Sequence, residues 1–198
     1  MTAESRSQSL SPPETDEGTV PTPQRMRHAM GTFASGVTVV TGTGWDGAPV
    51  GFACQSFASV SLEPALVLFC ADHRGRAWPK IRESGRFTVN ILAAEQTDMC
   101  ARFGSSKGLK YEGLRWELSR WGTPSLPGVL TRVHADVHDV HAAGDHDVVV
   151  GRVLALEPVA DREPMLFFRG GFGVGSPATA VTAPDVWGWG DHWGGRWG

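Results

Sequence analysis

Apolar and polar residues alternate along most of this chain, and the alternation sorts it into strands. In DVVVGRVL, Asp147, Val149, Gly151 and Val153 face one way and Val148, Val150, Arg152 and Leu154 the other, which is the two-residue period of a β-strand. The pattern predicts long strands over Val129–Val140 and Asp147–Pro158, separated by the turn HAAGDH. Upstream, VTVVTGTGWDGAPVGFACQSFASVSL holds two β-rich runs around Trp45-Asp46-Gly47, a hairpin signal. ALVLFCA (Ala65–Ala71) is short and continuously apolar, as a buried strand is. RFTVNIL is a further strand and PMLFFRGGFG the last.

Helical spacing is confined to three places. In TPQRMRHAMGTFASG, Thr22 is an N-cap, Pro23 suits the first helical position, and Met26, Met30 and Phe33 recur until Gly36 stops them. WPKIRES is a brief helix, and EQTDMCARF is a helix that carries Met99, Cys100 and Phe103 inward. GSSKGLKYEGLRWELSRWGTPSLPG is loop, with one short strand near Leu114–Leu118. Strands dominate and no βαβ rhythm occurs, so the expected class is mainly β: an antiparallel barrel with a few peripheral helices.

Composition sets the limits of the domain. The 198 residues suit one domain with its own core. Residues 1–21, rich in Ser, Thr, Pro and Glu, form an expected disordered tail, and 22–175 the domain. Residues 176–198 form a Gly/Trp-rich tail with Trp187, Trp189, Trp193 and Trp197, half of the eight tryptophans. That tail is either a partner or dimer contact or a segment collapsed onto the body. No apolar run approaches the ~20 residues of a membrane span, and the N-terminus lacks a signal-peptide layout; a cytosolic protein away from the membrane is expected. Residues 1–24 carry Glu4, Glu14, Asp16 and Glu17 against Arg6, which accounts for the whole chain's net charge of −3. The balanced remainder has no basic footprint for nucleic acid. Cys54, Cys70 and Cys100 form no C-x-x-C and read as small buried hydrophobes.

Most candidate chemistry fails its context test. GGFGVG (170–175) contains G-x-G, but Ser176-Pro177 follows where a dinucleotide fingerprint needs a helix. His134, His138, His141 and His146 cluster, with His134 and His138 expected on one strand face, yet no carboxylate triad or H-E-x-x-H accompanies them, so no metal is expected. No G-x-S-x-G elbow is present. In CQSFASVSLEP, Ser56, Ser59 and Ser61 are interspersed with apolar residues. Such a lining suits a polar heterocycle bearing a phosphate, although a strand end with satisfied hydroxyls has the same composition. His146, delivered by a Gly-Asp-His turn to the mouth of a strand, is either surface decoration or a reagent.

Six blocks fall in order: RHAMGTFASGVTVVT, GFACQSFASVSLEPALVLFC, FTVNILAAEQ, ARF, GDHDVVVGRV and PMLFFRGGFG. Together, over roughly Arg25 to Gly173, they resemble the flavin reductase-like family, the short-chain NAD(P)H:flavin oxidoreductases that serve two-component monooxygenases. The resemblance implies an FMN-binding split β-barrel of Greek-key topology, a homodimer with flavin near the interface, NADH or NADPH as reductant, and a separate monooxygenase that receives reduced FMN (or FAD). By the same analogy Ser35, Gly36 and Val37 lie along the flavin. Cys54, Gln55, Ser56, Ser59 and Ser61 meet the isoalloxazine edge and the ribityl-phosphate chain, and Cys70 and Ala71 begin the phosphate loop. Relatives commonly read Cys-x-x-x-x-Ser-x-Thr there; this chain reads CADHRGRA, with Gly75 and Ala77 where the hydroxyls belong. Arg74 and Arg76 are the expected replacements, since guanidinium binds phosphate through paired, charge-assisted hydrogen bonds. His146 is assigned to positioning the nicotinamide, and Phe103, Arg169 and Phe172 to lining its side. Two rivals remain: a flavoprotein with permanently bound FMN that reduces another acceptor, and a non-catalytic flavin-binding adaptor.

Overall fold

The computed structural model describes residues 20–106 and 109–172. Helix α1 (Pro23–Met30) precedes β1 (Ser35–Gly36), β2 (Thr38–Thr43), β3 (Pro49–Cys54), β4 (Ala58–Leu62) and β5 (Ala65–Asp72). Next come α2 (Ala77–Ser84), β6 (Arg86–Ile91) and α3 (Thr97–Gly104). The chain continues through β7 (Glu117–Leu118), β8 (Pro124–Ser125), β9 (Thr131–Ala143), β10 (His146–Pro158), β11 (Leu166–Phe168) and β12 (Gly171–Phe172). Seven strands form one sheet in the order β3-β2-β6-β9-β10-β5-β4, and β1, β11 and β12 form a small second one. Every pairing in both is antiparallel. The expected tails, 1–21 and 176–198, lie outside the described residues except for Val20 and Pro21. No helix among the described residues is long and apolar enough to cross a membrane.

Burial follows the sequence period. Strand β2, second from one end of the sheet, is buried on both faces, with Val40 in one core and Val39 in the other. Around Val40 gather Phe69, Trp78, Ile81 and Phe87, with α2 laid over the sheet through Trp78 and Ile81. Around Val39 gather Leu92, Leu126 and Met165, covered by Cys100 and Phe103 of α3. Ala65–Asp72 alternates between buried and half-buried positions rather than being buried throughout, because one face meets the core and the other does not.

Several boundaries differ from the sequence reading. Thr22 does cap α1, its hydroxyl accepting from Arg25 N at 3.3 Å, but the helix stops at Gly31 rather than Gly36. Met26, Met30 and Phe33 are exposed rather than packed inward. The HAAGDH turn tightens to two residues, Gly144 and Asp145, with Gly144 at φ 64°, a backbone shape glycine adopts without penalty. PMLFFRGGFG is a hairpin, not one strand: Arg169 (φ 49°) and Gly170 (φ 81°) turn it back, as paired left-handed residues do in tight hairpins. A register shift on β9 leaves His138 opposite no residue of β10, so simple alternation from His134 to His138 does not hold.

Gly151 marks a close approach. A Cβ there would stand 2.3 Å from Cζ of Phe87, a ring that is itself fully buried and has nowhere to go. We expect Gly151→Ala to destabilise the fold by roughly 1–3 kcal/mol, read as a shifted urea midpoint with unchanged slope.

His134, the one fully buried histidine among the described residues, has Nδ1 2.9 Å from the Thr88 hydroxyl and Nε2 3.2 Å from Glu157. Trp121 stacks on its ring at 4.1 Å. Burial pushes the imidazole's pKa below its ordinary value, against the opposing pull of Glu157. Just below pH ~6.5 the unfolded chain therefore binds a proton that the folded one resists, so stability rises with pH across that window. The thermal midpoint should fall between pH 7.5 and 5.5, and His134→Gln should flatten that part of the profile.

Candidate functional site

A cavity of about 940 Å³ opens among three elements. Its floor is β3, from Pro49 to Ala53; one wall is the segment 71–80, and the other is the end of α3 with the chain that follows it. Tyr111 braces the second wall: its hydroxyl donates to Val50 O at 2.9 Å, and its ring lies edge-on to Phe103 at 5.3 Å and near-edge-on to Trp116 at 5.5 Å. Burial pushes that phenol far above its ordinary pKa, so it stays a neutral donor. Lys110 ties the same wall to the floor, donating to Phe103 O at 2.8 Å and Gly51 O at 3.1 Å. Burial lowers its pKa, and the neighbouring charge of Arg76 adds to the effect.

The two arginines differ. Arg74 is bound to Asp72 two residues earlier, through Nη2 at 2.7 Å and Nε at 3.1 Å. Those hydrogen bonds hold the Asp72 carboxyl well below the usual carboxylate range. Arg76 donates to the backbone carbonyl of Ser106 and has no carboxylate within ion-pair distance among the described residues. Of the two cations expected to replace the hydroxyl pair, Arg74 already has an anion and Arg76 does not.

The other expected residues fall into three groups. Ala71, Arg74, Arg76 and Phe103 line the cavity. Cys54, Ser56 and Cys70 meet beside it: the Ser56 hydroxyl accepts from Cys70 N at 2.8 Å and lies 3.3 Å from Cys54 Sγ. Gln55 next to them is exposed. His146 opens β10, opposite Asp72 in register, with Nδ1 2.7 Å from Asp145 Oδ1 and 38% of its side chain exposed. It stands at the cavity's rim through Asp72, not within the lining.

Ser35, Gly36, Val37, Ser59, Ser61 and Arg169 line no part of the cavity. Ser59 and Ser61 sit on β4, the sheet's last strand. Ser35 and Gly36 pair with β11, and Val37 is buried in the second core. Arg169 N donates to Gly31 O, and Phe172 pairs with Phe167. Lys110, Tyr111 and Asp147 are the residues sequence reasoning missed. Only Asp147 left a signal, a carboxylate on the face that alternation assigns to Val149. Among the described residues no cluster could hold a metal ion.

The fold is thus mainly an antiparallel sheet with a cavity walled by an arginine and a lysine, both held by carbonyls. Residues 30–176 match the flavin reductase like domain, and the chain belongs to that family. It is 48% identical over 162 residues to a flavin-dependent monooxygenase reductase subunit, HsaB, of Rhodococcus jostii, covering 82% of this chain and 83% of that one. It is 40% identical over 147 residues to the FMN reductase (NADH) SmoA of Agrobacterium fabrum, covering 74% and 83%. The crystal structure of a nitrilotriacetate monooxygenase component B homologue from Mycobacterium thermoresistibile superposes with a TM-score of 0.77 at 45% identity, covering 81% and 90%.

Proposed function

We propose that this protein is an NAD(P)H:flavin oxidoreductase that reduces free flavin, FMN foremost and FAD as an alternative, and supplies it to a separate monooxygenase. The carrying observation is the pair of cations on the two cavity walls, Arg76 on one and Lys110 on the other, each fixed by neutral carbonyls so that neither charge is cancelled. Such a pair suits the phosphate of a flavin nucleotide. Reduced nicotinamide supplies a hydride to flavin N5, a step governed by stacking distance rather than by acid–base groups. His146, at the rim and oriented by Asp145, positions the nicotinamide. Cys54, Gln55, Ser56, Cys70 and Ala71 border the flavin chiefly through backbone groups, since the Ser56 hydroxyl is already engaged.

The finer architecture belongs to the same reading. The sheet is a split barrel whose ends, β3 and the β4–β5 hairpin, approach each other. The molecule is a cytoplasmic homodimer. Ser59 and Ser61 on β4, Ser35, Gly36 and Val37, and Arg169 and Phe172 border the flavin from the parts of the site that a second subunit completes. Val60, Leu62 and Leu156, exposed in the protomer, are the apolar groups such an interface covers.

Oxidation of NADH or NADPH, followed with and without FMN, FAD or riboflavin, tests this reading. Turnover should require added flavin, and retention of tightly bound flavin through dialysis would favour the resident-cofactor rival. His146→Ala should lower kcat on the order of 10- to 100-fold, the cost of a misplaced reactant. Arg76→Ala should raise KM for FMN roughly 10-fold or more, the value of a charge-assisted hydrogen bond, with little effect on riboflavin. Absence of oxidation in every combination would leave only a binding protein.

A further inference from the structure

Asp147 is a carboxylate on the inward face of β10, 6% exposed, one residue from His146 and opposite Ala71 of the cavity lining. Its Oδ2 accepts from the Trp78 indole N–H at 2.8 Å, and its Oδ1 lies 3.0 Å from His73 Nε2. Arg82 Nη1 approaches the same carboxylate at 3.5 Å. His73 and Trp78 bracket the short segment that carries Arg74 and Arg76. The backbone reinforces one end, since His73 N donates to Asp145 O at 3.1 Å. Both ends of the arginine segment are thus fastened to the strand that begins at His146.

Packing alone does not require an acid here. Helix α2 is already anchored by the buried Trp78 and Ile81, and burying a carboxylate costs free energy that only full hydrogen bonding offsets. The alternation of β10 would accept an apolar residue at this place, as it does at Val149. What an apolar residue could not do is hold His73 and the Trp78 N–H at fixed points. Between them the chain makes a tight turn, Gly75 N donating to Asp72 O at 2.9 Å, and enters α2 at Ala77 with no side-chain hydrogen bond at the Arg76 cap.

We propose that Asp147 is a positioning residue that clamps the 73–78 segment onto β10 and so sets where Arg76 presents its charge to the ligand's phosphate. The inference rests on the flavin reading of the cavity. It acts on one property, discrimination between flavins with and without a phosphate.

Flavin fluorescence titrations give Kd for FMN and for riboflavin without depending on turnover. In the parent protein FMN should bind more tightly. Asp147→Ala should lower the ratio of riboflavin Kd to FMN Kd about 10-fold, the scale of a lost charge-assisted contact. Asp147→Asn keeps an oxygen for Trp78 and an N–H for His73, and should restore the ratio to within about 2-fold. Combining Asp147→Ala with Arg76→Ala should change the ratio no further than Arg76→Ala alone. Should Asp147→Ala fail to fold, His73→Ala, at a half-exposed side chain, releases one end of the clamp and should lower the ratio about 3-fold. Equal weakening of both flavins, additive effects in the double variant, or a parent protein indifferent to the phosphate would overturn the proposal. Phosphate discrimination without any flavin-dependent oxidation would instead remove the reductase reading and leave the clamp standing.

Discussion

The fully buried ring of Phe69 meets Phe52 of β3, Trp78 of α2 and Phe87 of β6 at centroid separations of 5.9, 5.7 and 5.1 Å. A flat sheet cannot bring these four together, because β3 and β5 stand at nearly opposite ends of the strand order. The sheet must curl until its ends approach, and the tilted and edge-on contacts around Phe69 are the favourable aromatic geometries that reward the curl. Ser56 supplies the polar counterpart, its hydroxyl joining the chain just after β3 to the backbone of Cys70 on β5. Beside these contacts α2 and α3 each pack on β3, and the space between them is the cavity. The site is thus a by-product of how the core is satisfied.

Charge inside that space is managed by the choice of partner. Asp72 pairs with Arg74 across two residues and neutralises it at the surface, where such a pair contributes little to stability. Arg76 and Lys110 are held by carbonyl oxygens, which fix position without cancelling charge. Lys110, half-buried, is screened by less solvent than the exposed Arg76, so its charge acts at longer reach. The same segment therefore carries one arginine paired with a carboxylate and one held only by a carbonyl.

Most of the strands were legible because period-two alternation and turn residues are local signals. ALVLFCA, RFTVNIL and the runs around Trp45-Asp46-Gly47 became β5, β6 and the β2–β3 hairpin. The errors fell where tertiary contacts override local pattern. Gly36 looks like a helix stop, but the chain leaves α1 at Gly31 so that Ser35 and Gly36 can pair with β11. The GDH turn stood out in sequence, whereas Lys110 and Tyr111 sit in a stretch with no period at all. Their importance comes from bonds to Gly51 and Val50, some sixty residues earlier. The family resemblance named the arginines as a pair. Only coordinates could separate them, since which one finds an acid depends on side-chain reach rather than on spacing.

The β9–β10 hairpin has a further consequence. Strand β5 pairs with β10 between the turn and Arg152, whereas β6 pairs with β9 from Asp136 to Thr131, beyond that stretch. Because Arg152 faces Asp136, the two neighbours flank successive halves of the hairpin, offset along the strand axis by about 20 Å at ~3.3 Å per residue. This offset is shear, the quantity that fixes strand tilt and radius when a sheet bends round on itself. A single residue inserted into β9 or β10 would change it by one step, altering the curvature of the whole sheet and the place at which His146 emerges. The lengths of these two strands are therefore a dimension of the site, as much as the side chains that line it.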